Sequence, residues 1–306
     1  MNTFRILLVL LVAFTQVAHA QKVATQKKEK EKAKKTKVKE KGYKLRGIAE
    51  IGFLGVFDHK IQFGLSNNNY SPTYFDYVKD GGQENLFFNT RLALEFEFQK
   101  RNVITFLYQP LTLQTQVRLN KSIQIDNVLF PSGTNLKLTY GFPFYRLSYL
   151  RYFVQSDKLS VGGGLSFQIR NADIRFESAD GSLLVASRNV GFVPALKFRM
   201  GYHFSPYTSI EIEADGIYAP ISGLNGSDND VIGSILDLSV RQNIQVTKAL
   251  KAYLTFRYIG GGAQGQSDDR DNVTDGYSKN WLHFYAISIG FTYEMVWNPP
   301  AQPTVN

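Results

Sequence analysis

The fold is decided by one segment, residues 191–216, which reads GFVPALKFRMGYHFSPYTSIEIEADG. Apolar and charged side chains alternate in it on both sides of a short turn, SPYT. This period-two alternation predicts two antiparallel strands, each with one apolar and one charged face. If the hairpin closes at the turn, Lys197 lies opposite Asp215. Arg199 then lies opposite Glu213, and opposite charges across a ladder stabilise it.

The same segment contains the side-chain types of a hydrolase, because His203 and Ser205 precede several acidic residues. The alternation places His203 at the end of a strand and Ser205 in the turn, where Pro206 supplies a fixed φ. No third group is placed to orient the imidazole, as nucleophilic catalysis requires. We therefore interpret these residues as a hairpin end and not as an active site.

Alternation of this kind recurs along the chain and predicts ten strands. Most are longer than the average strand of about five or six residues. They reach the roughly 9 to 11 residues that cross a membrane at a tilt. The predicted strands are residues 46–57, 85–98, 103–119, 135–154, 159–176, 187–204, 208–220, 231–246, 250–262 and 281–296.

The connections between these strands alternate in length. Short turns, QKRN, QSDK, SPYT and VTKA, follow the even-numbered strands. Long polar segments follow the odd-numbered ones, at residues 58–84, 120–134, 178–186, 221–230 and 263–280. Short turns at one rim and long loops at the other are typical of bacterial outer-membrane barrels. The sequence therefore predicts an all-β protein, an antiparallel up-and-down transmembrane β-barrel of about ten strands, within a range of about eight to twelve.

Aromatic residues support the same fold, because outer-membrane barrels carry aromatic girdles at both interfaces. At the short-turn ends lie Phe96, Phe98, Phe153, Tyr202, Phe204, Tyr207, Tyr293 and Trp297. Toward the long-loop ends lie Tyr140, Phe142, Tyr218, Tyr258 and Trp281. In one strand the apolar positions change parity around Pro143. Since proline cannot donate to a ladder, we predict a bulge there.

The ends of the chain point to export. Residues 1–20 combine one positive charge, an apolar run and an A-x-A ending, which is the pattern of a cleaved secretory signal peptide. Residues 21–45 form a lysine-rich tail that we expect to be disordered in the periplasm. The barrel is expected at residues 46–297, followed by a C-terminal tail at 298–306. The chain has no cysteine, so disulfides and thiolate sites are excluded.

The positive charge belongs to the tail. The formal net charge is +9, and residues 21–46 hold twelve basic and three acidic side chains. From residue 47 onward there are 22 basic and 23 acidic residues. A nucleic-acid-binding domain carries its basic residues on the folded surface, so we expect no nucleic-acid partner. The tail itself is suited to an anionic envelope polymer or to membrane headgroups.

Together these features resemble bacterial outer-membrane β-barrel proteins of the OmpA, OmpX and OmpW-like kind. The likeness is carried by residues 191–216, by FPSGTNLKLTYGFPFYRLSYLRYF and by WLHFYAISIGFTYEMVW, and it covers residues 46–297. It implies a barrel in the bacterial outer membrane, surrounded by outer-membrane lipid. The chain departs from the pattern in that NPPAQPTVN follows Trp297, whereas such chains usually stop on an aromatic residue.

The inward faces of the predicted strands carry charges. They include Glu50, Glu95 and Arg170. A longer charge ladder is formed by Lys197, Arg199, Glu211, Glu213, Asp215, Arg241 and Arg257. A barrel of about eight strands is filled by its own side chains, whereas about sixteen strands are needed for an open channel. Ten strands with opposing charges are therefore expected to enclose a nearly closed lumen.

A rim site is the enzyme hypothesis that the sequence offers. Asp58 and His59 are placed at the long-loop rim beside Asp76 and Asp80. Ten-stranded outer-membrane proteases of the omptin kind carry Asp and His groups at that rim. The resemblance therefore implies a hydrolase as one alternative.

We expect a non-enzymatic outer-membrane protein with a structural or surface-recognition role. Its long loops, above all residues 58–84, are expected to meet an extracellular ligand. The alternatives are a narrow pore or transporter for small solutes through the charged lumen, and the rim hydrolase. The sequence suggests no cofactor and no metal, since its acidic loops lack the spacing of a calcium site.

Overall fold

The computed structural model describes residues 42–64, 71–220, 231–266 and 277–297. In these ranges no helix has the length and hydropathy needed to cross a membrane. The strands are β1 Tyr43–Phe63, β2 Phe75–Asp76, β3 Leu86–Phe98, β4 Asn102–Gln109, β5 Thr112–Arg118, β6 Ile123–Ile125, β7 Val128–Phe130, β8 Asn135–Gly141, β9 Phe144–Gln155, β10 Leu159–Ser178, β11 Leu184–His203, β12 Thr208–Pro220, β13 Val231–Gln245, β14 Leu250–Gln266 and β15 Tyr277–Trp297. The predicted signal peptide, the C-terminal tail and all of the basic tail before residue 42 lie outside the described residues.

Ten of the described strands close into a barrel. Each pairs antiparallel with its neighbours in the order β1, β3, β4, β9, β10, β11, β12, β13, β14 and β15. The ring closes because β15 returns to β1, with Tyr43 opposite Trp297 at one end and Phe63 opposite Ser278 at the other. The predicted antiparallel barrel of about ten strands is confirmed.

A proline interrupts one barrel strand without changing its pairing. β9 continues the line of β8 after Phe142 and Pro143. On the neighbouring strand β10, Asp173 lies opposite Gly141. Three residues further along both strands, Arg170 lies opposite Phe144. The register is the same on both sides of the proline, so the bulge predicted there is wrong.

The register does shift at two other places. In the pairing of β1 with β15, Phe57 is the additional residue between Val56 and Asp58. In the pairing of β10 with β9, the register shifts between Val161 and Gly162. Because a bulge adds one residue, the buried positions of β1 change from even to odd numbers beyond Phe57. Each strand therefore keeps one side facing the lumen along its whole length.

The two ends of the barrel differ in their connections. At one end, turns of three or four residues join the strands, at residues 99–101, 156–158, 204–207 and 246–249. We call the part of the barrel nearest these turns the turn half. The opposite part, which carries the connections at residues 64–85 and 119–134, we call the loop half. On the β8–β9 line the two halves meet at Pro143.

Side chains of the turn half are apolar outside and charged inside. Exposed apolar residues form a belt around the barrel: Ile51, Phe53, Leu92, Leu94, Ile104, Phe106, Leu147, Leu165, Phe167, Leu196, Leu236, Leu238, Leu254, Phe256, Ile287, Ile289 and Phe291. Buried charged residues face the lumen: Glu50, Arg91, Glu95, Arg146, Lys197, Arg199, Glu213, Asp215, Asp237, Arg241 and Arg257. This is the arrangement of a barrel wall in contact with lipid.

The loop half shows the opposite arrangement. Its inward side chains form an apolar core: Ile61, Phe63, Leu113, Leu136, Leu138, Tyr140, Ile174, Phe176, Leu282 and Phe284. Its outward side chains are mostly polar: Asp58, Lys60, Gln62, Thr112, Gln114, Gln116, Arg118, Lys137, Thr139, Asn171, Asp173, Arg175, Glu177 and Arg188. The outward girdle position predicted for Tyr140 is wrong, since Tyr140 is 2% exposed and stacks inside the barrel on Phe142 with ring centroids 5.0 Å apart.

Two connections fold over the apolar core of the loop half. Phe75 and Tyr77, from the connection between β1 and β3, are fully buried in it. The hairpin β6–β7 adds the buried side chains Ile123, Ile125 and Phe130. Backbone hydrogen bonds join the two connections, as Thr73 N donates to Gln124 O at 2.6 Å. These segments, predicted as polar loops, are in part a cover because their apolar residues complete the core.

Candidate functional site

The predicted charge ladder lies inside the turn half. Lys197 is opposite Asp215 and Arg199 is opposite Glu213, so both predicted pairings of the hairpin are confirmed. The Lys197 ammonium contacts Glu213 at 2.6 Å and Asp215 at 3.1 Å. The Arg199 guanidinium binds Glu213 through two nitrogens, at 2.8 and 3.0 Å. Since β11 and β12 are neighbours, these ion pairs line one side of the lumen.

Other ion pairs cross the lumen between strands that are far apart in the ring. Arg199 on β11 donates to Glu95 on β3 at 2.7 Å. Arg146 on β9 donates to Asp215 on β12 at 2.9 Å and to Asp237 on β13 at 2.8 Å. Each of these side chains is less than a tenth exposed. The lumen of the turn half is therefore bridged by fixed charge-assisted hydrogen bonds.

The remaining predicted residues extend the same network. Arg257 donates to Asp237 through two nitrogens, at 2.5 and 2.7 Å. It also donates to Gln109 on β4, across the lumen, at 2.7 Å. Arg241 contacts Glu211 at 3.3 Å, near the rim where the Glu211 side chain is 24% exposed. All seven residues predicted for the ladder are thus brought together inside the barrel.

Several members of the network, among them Arg91, Arg146 and Asp237, are missing from the predicted ladder. Asp237 shares the odd-numbered face of β13 with Ser239 and Arg241, all buried, so the alternation contained the signal. Arg146 lies between the exposed Tyr145 and Leu147, so the alternation after Pro143 also contained its signal. The constant register makes Arg146 an inward residue.

A network of this kind favours a rigid lumen over a reactive one. Taking charges out of water costs several kcal/mol per ion, and mutual attraction offsets this cost only with good geometry. Apart from Glu211, the carboxylates of the ladder contact two or three cations each, which satisfies most of their lone pairs. The ladder therefore holds opposite walls together, and its charges are occupied by one another.

The structure does not assemble the predicted rim site. Asp58 and His59 are adjacent in β1 and point to opposite sides of the wall. Asp58 faces outward and pairs with Lys60 at 2.5 Å. His59 faces inward with 0% exposure, where its Nδ1 contacts Gln83 Oε1 at 2.6 Å and its ring stacks on Tyr77 at 4.2 Å. The His59 imidazole is therefore enclosed by described side chains and separated from the Asp58 carboxylate by the barrel wall.

The two carboxylates predicted beside the rim site have other partners. Asp76 accepts from the backbone nitrogens of Val78 and Lys79, at 3.1 and 3.0 Å, and so closes a turn. Asp80 pairs with Lys121 at 2.9 Å, which links the two covering connections. Within the described ranges no group of three or more His, Cys, Asp or Glu side chains is arranged to hold a metal ion.

Comparison with known structures finds outer-membrane barrels. OmpT, an outer membrane protease of Escherichia coli, aligns at a TM-score of 0.47 and 11% identity, over 82% of this chain and 97% of that one. OprG of Pseudomonas aeruginosa aligns at a TM-score of 0.33 and 10% identity, over 84% of this chain and 97% of that one. Ail, the attachment invasion locus protein of Yersinia pestis, aligns at a TM-score of 0.32 and 9% identity, over 82% of this chain and 99% of that one. No family model and no curated protein matches the sequence. The closed ten-strand barrel itself confirms the resemblance to outer-membrane β-barrels seen in the sequence.

Proposed function

We propose that this chain is a closed, non-enzymatic barrel of the bacterial outer membrane that holds a rigid surface above the lipid for recognition. The observation that carries the proposal is the inversion of polarity between the two halves. Lipid suits the outside of the turn half, where the belt is apolar, and water suits the outside of the loop half. The barrel is then an anchor, and the loop half is the part it presents.

The blocked lumen supports an anchor over a pore. In the turn half, ion pairs between distant strands occupy the interior, as in Arg199 with Glu95 and Arg146 with Asp237. In the loop half an apolar core with buried aromatic rings such as Phe176 and Tyr77 covers the interior. A hydrated ion would have to break the ion pairs of the turn half. It would also have to enter the apolar core of the loop half, where no hydrogen bonds replace its hydration.

The polar outer wall of the loop half supports a recognition role. Thr112, Gln114 and Gln116 are exposed along β5, and Lys137 is exposed on the adjacent strand β8. Amide and hydroxyl groups on a strand backbone are held in fixed positions by the sheet and by the apolar core behind it. A surface of this kind suits a partner with complementary hydrogen-bonding groups.

Conductance of a planar lipid bilayer tests the closed lumen. We expect no stepwise current after insertion of the purified protein, with co-flotation of protein and vesicles confirming insertion. Reproducible current steps would show a continuous water path and would overturn the proposal of a closed anchor. Asp237→Gly, which removes the carboxylate between Arg146 and Arg257, is the variant in which occasional current steps are expected.

Retention of whole cells on immobilised extracellular-matrix proteins tests recognition. Cells that display the chain are expected to be retained more than cells without it. Replacing Gln114, Gln116 and Lys137 together by alanine is expected to reduce retention, whereas replacing the belt residues Leu147 and Leu165 by valine leaves it unchanged. Equal retention with and without the three polar side chains would contradict a role for this wall.

A further inference from the structure

The barrel wall has a gap between β11 and β12. The two strands pair only from Leu196 opposite Gly216 to His203 opposite Ser209. Residues 184–195 of β11 pair with β10 on one side and with no described residue on the other. Pro194 lies in this stretch, which agrees with the confinement of proline to strand edges, since it has no N–H to donate. The gap is a local edge of the barrel wall.

A cavity of about 650 Å³ opens behind this gap. Its volume falls within the roughly 300 to 1,000 Å³ of small-molecule sites. Apolar side chains from several strands line it, among them Phe144, Ile174, Ile235, Ile259, Leu282 and Phe284. Glycines of β14, including Gly260 and Gly262, also form part of the wall of the cavity. The cavity is therefore apolar over most of its surface.

One cation faces this apolar cavity without an anionic partner. Arg170 projects inward from β10 and lines the cavity, where its guanidinium lies 5.7 Å from the centroid of the Phe142 ring. Arg146, on the neighbouring strand, binds two carboxylates. No carboxylate of the described residues lies within ion-pair distance of Arg170. The guanidinium thus retains its donors for a group that the described residues do not supply.

A buried amide beside Arg170 also has an unused donor. Gln168 is 2% exposed and lines the same cavity. Its Oε1 accepts two hydrogen bonds from Arg146, at 3.0 and 2.7 Å, which fixes the orientation of the amide. Its Nε2 is buried without a hydrogen-bond partner. A buried donor left without a partner costs about 1 to 3 kcal/mol, so an acceptor at this position is favoured.

We propose that the cavity binds a single-chain amphiphile with a carboxylate head, the chemical class of a fatty acid. The carboxylate lies between the Arg170 guanidinium and Gln168 Nε2, and the hydrocarbon chain lies along the apolar lining. The ligand enters sideways from the bilayer through the gap between β11 and β12. This binding function is additional to the closed anchor proposed above and does not require a conducting lumen.

The position of the gap connects the cavity to lipid. Val190 and Phe192 on β11 and Tyr218 on β12 flank it, and these outward side chains are 75%, 42% and 73% exposed. They continue the apolar belt up to the level of Arg170, which pairs with Gly191 across β10 and β11. An amphiphile in the outer membrane therefore meets the gap without passing through water. A planar carboxylate also matches the fork of a guanidinium, which donates to both carboxylate oxygens at once.

Equilibrium binding of radiolabelled dodecanoate to the full chain in lipid nanodiscs tests the proposal, with binding to empty nanodiscs subtracted. We expect saturable binding near one ligand per barrel. Arg170→Gln keeps the length of the side chain and removes its charge, and we expect at least a tenfold loss of affinity. Gly191 lines the cavity, and an added Cβ there meets no atom within 4 Å, so Gly191→Leu is expected to occupy cavity space and to abolish binding.

Matched variants control for folding and for general effects of charge. Gly47→Leu makes the same change at an outward position whose added Cβ also meets no atom within 4 Å. Arg188→Gln removes an exposed guanidinium that pairs with Asp173 at 3.4 Å outside the cavity. Both are expected to bind dodecanoate as the unmodified chain does. Retention of the heat-dependent gel shift of a folded barrel checks every variant.

Three results would overturn the proposal. The first is an absence of saturable dodecanoate binding above empty nanodiscs. The second is unchanged binding in both Arg170→Gln and Gly191→Leu. The third is binding of dodecanol or of dodecyltrimethylammonium as tight as that of dodecanoate, because the anionic head would then have no role. Bilayer conductance is independent of all three, so failure here and failure of the closed-anchor proposal are distinguishable.

Discussion

The turn half and the loop half share the same strands, yet each is the inverse of the other. Along the β8–β9 line, Leu138 and Tyr140 face inward and Thr139 faces outward before Pro143. After it, Arg146 faces inward and Leu147 faces outward. The wall continues in one register, and only its surroundings change. The position at which the outward face changes from apolar to polar therefore marks where lipid ends along the barrel. Strand length marks this position less directly.

The two interiors follow from the two exteriors. In the turn half lipid accepts the apolar face, so the inward face carries polar groups, and these must satisfy one another. Charged residues do so with strong directional bonds across the lumen. In the loop half water surrounds the outer wall, and the apolar face turns inward as in a soluble protein. One chain thus combines a membrane barrel with a core of the soluble type.

The largest effect is expected from removing a carboxylate from the interior of the turn half. Asp237 accepts from Arg146 and from Arg257, and Asp237→Leu leaves the buried Arg257 with the neutral Gln109 as its remaining hydrogen-bond partner among the described residues. Breaking a buried ion pair by removal of one partner costs about 3 to 5 kcal/mol. We expect a loss of this size in the free energy of unfolding, measured by urea titration in lipid vesicles.

The matched control lies on the outside of the loop half. Asp173 also accepts from two arginines, Arg175 at 2.7 Å and Arg188 at 3.4 Å, but its side chain is 33% exposed. Exposed pairs contribute roughly 0 to 1 kcal/mol, so Asp173→Leu is expected to change the free energy of unfolding by no more than that. Equal losses in both variants would show that the two halves do not differ in the way the burial indicates.

The sequence was sufficient for the barrel and for most of the charge ladder. In the hairpin at residues 191–216, apolar and charged side chains alternate along both strands. Alternation together with a known turn fixes which residues lie opposite one another. Lys197 with Asp215 needs no further information. Alternation, however, defines two faces and does not say which one is inside. The sequence therefore locates the paired charges in the turn half and leaves the inversion of the loop half undetected.

Two features show what the missing information is. The apolar side chains Phe144 and Tyr145 are consecutive, and the sequence explains this equally by a bulge or by a change of surroundings. Only the register of the neighbouring strand distinguishes the two. Likewise Asp58 and His59 are neighbours in sequence and lie on opposite sides of the wall. The burial of His59 depends on Tyr77 and Gln83, which reach it from a connection with no periodic pattern.

An intermediate change in the free energy of unfolding is expected from introducing a cation on the outer face of the barrel, at a position in the apolar belt. Leu147 lies in the apolar belt and is 51% exposed, and Leu147→Arg places a cation in lipid. For the lipid face of a barrel this costs about 2 to 4 kcal/mol at the midplane. Thr139→Arg makes the same addition on the same outer face beyond Pro143, and a loss below about 1 kcal/mol is expected there.

Unfolding from lipid vesicles measures both changes, and the difference between them locates the edge of the lipid. If Thr139→Arg destabilised the barrel as much as Leu147→Arg, lipid would cover the outer wall of both halves. The surface assigned to water, and the recognition role proposed for it, would then be wrong. A small loss in both would place Leu147 outside the membrane instead.

The smallest effect concerns the interior of the loop half, where apolar packing and not hydrogen bonding holds the core. The Tyr77 hydroxyl is buried with no partner among the described residues, and burial raises the pKa of Tyr77 well above its usual value. The Tyr140 hydroxyl accepts from Asn280 Nδ2 at 2.7 Å. We expect Tyr77→Phe to leave the free energy of unfolding unchanged or to raise it by up to about 1 kcal/mol, since it removes an unpaired polar group.

Tyr140→Phe is the matched variant, because it removes the same atom from a ring in the same core. It leaves the Asn280 amide without its acceptor, so we expect a loss of about 1 kcal/mol. Urea titration in vesicles compares the two. Equal losses would mean that the Tyr77 hydroxyl has a partner, and that the loop half depends on polar satisfaction as the turn half does. Opposite signs would show that the two interiors follow different rules within one continuous wall.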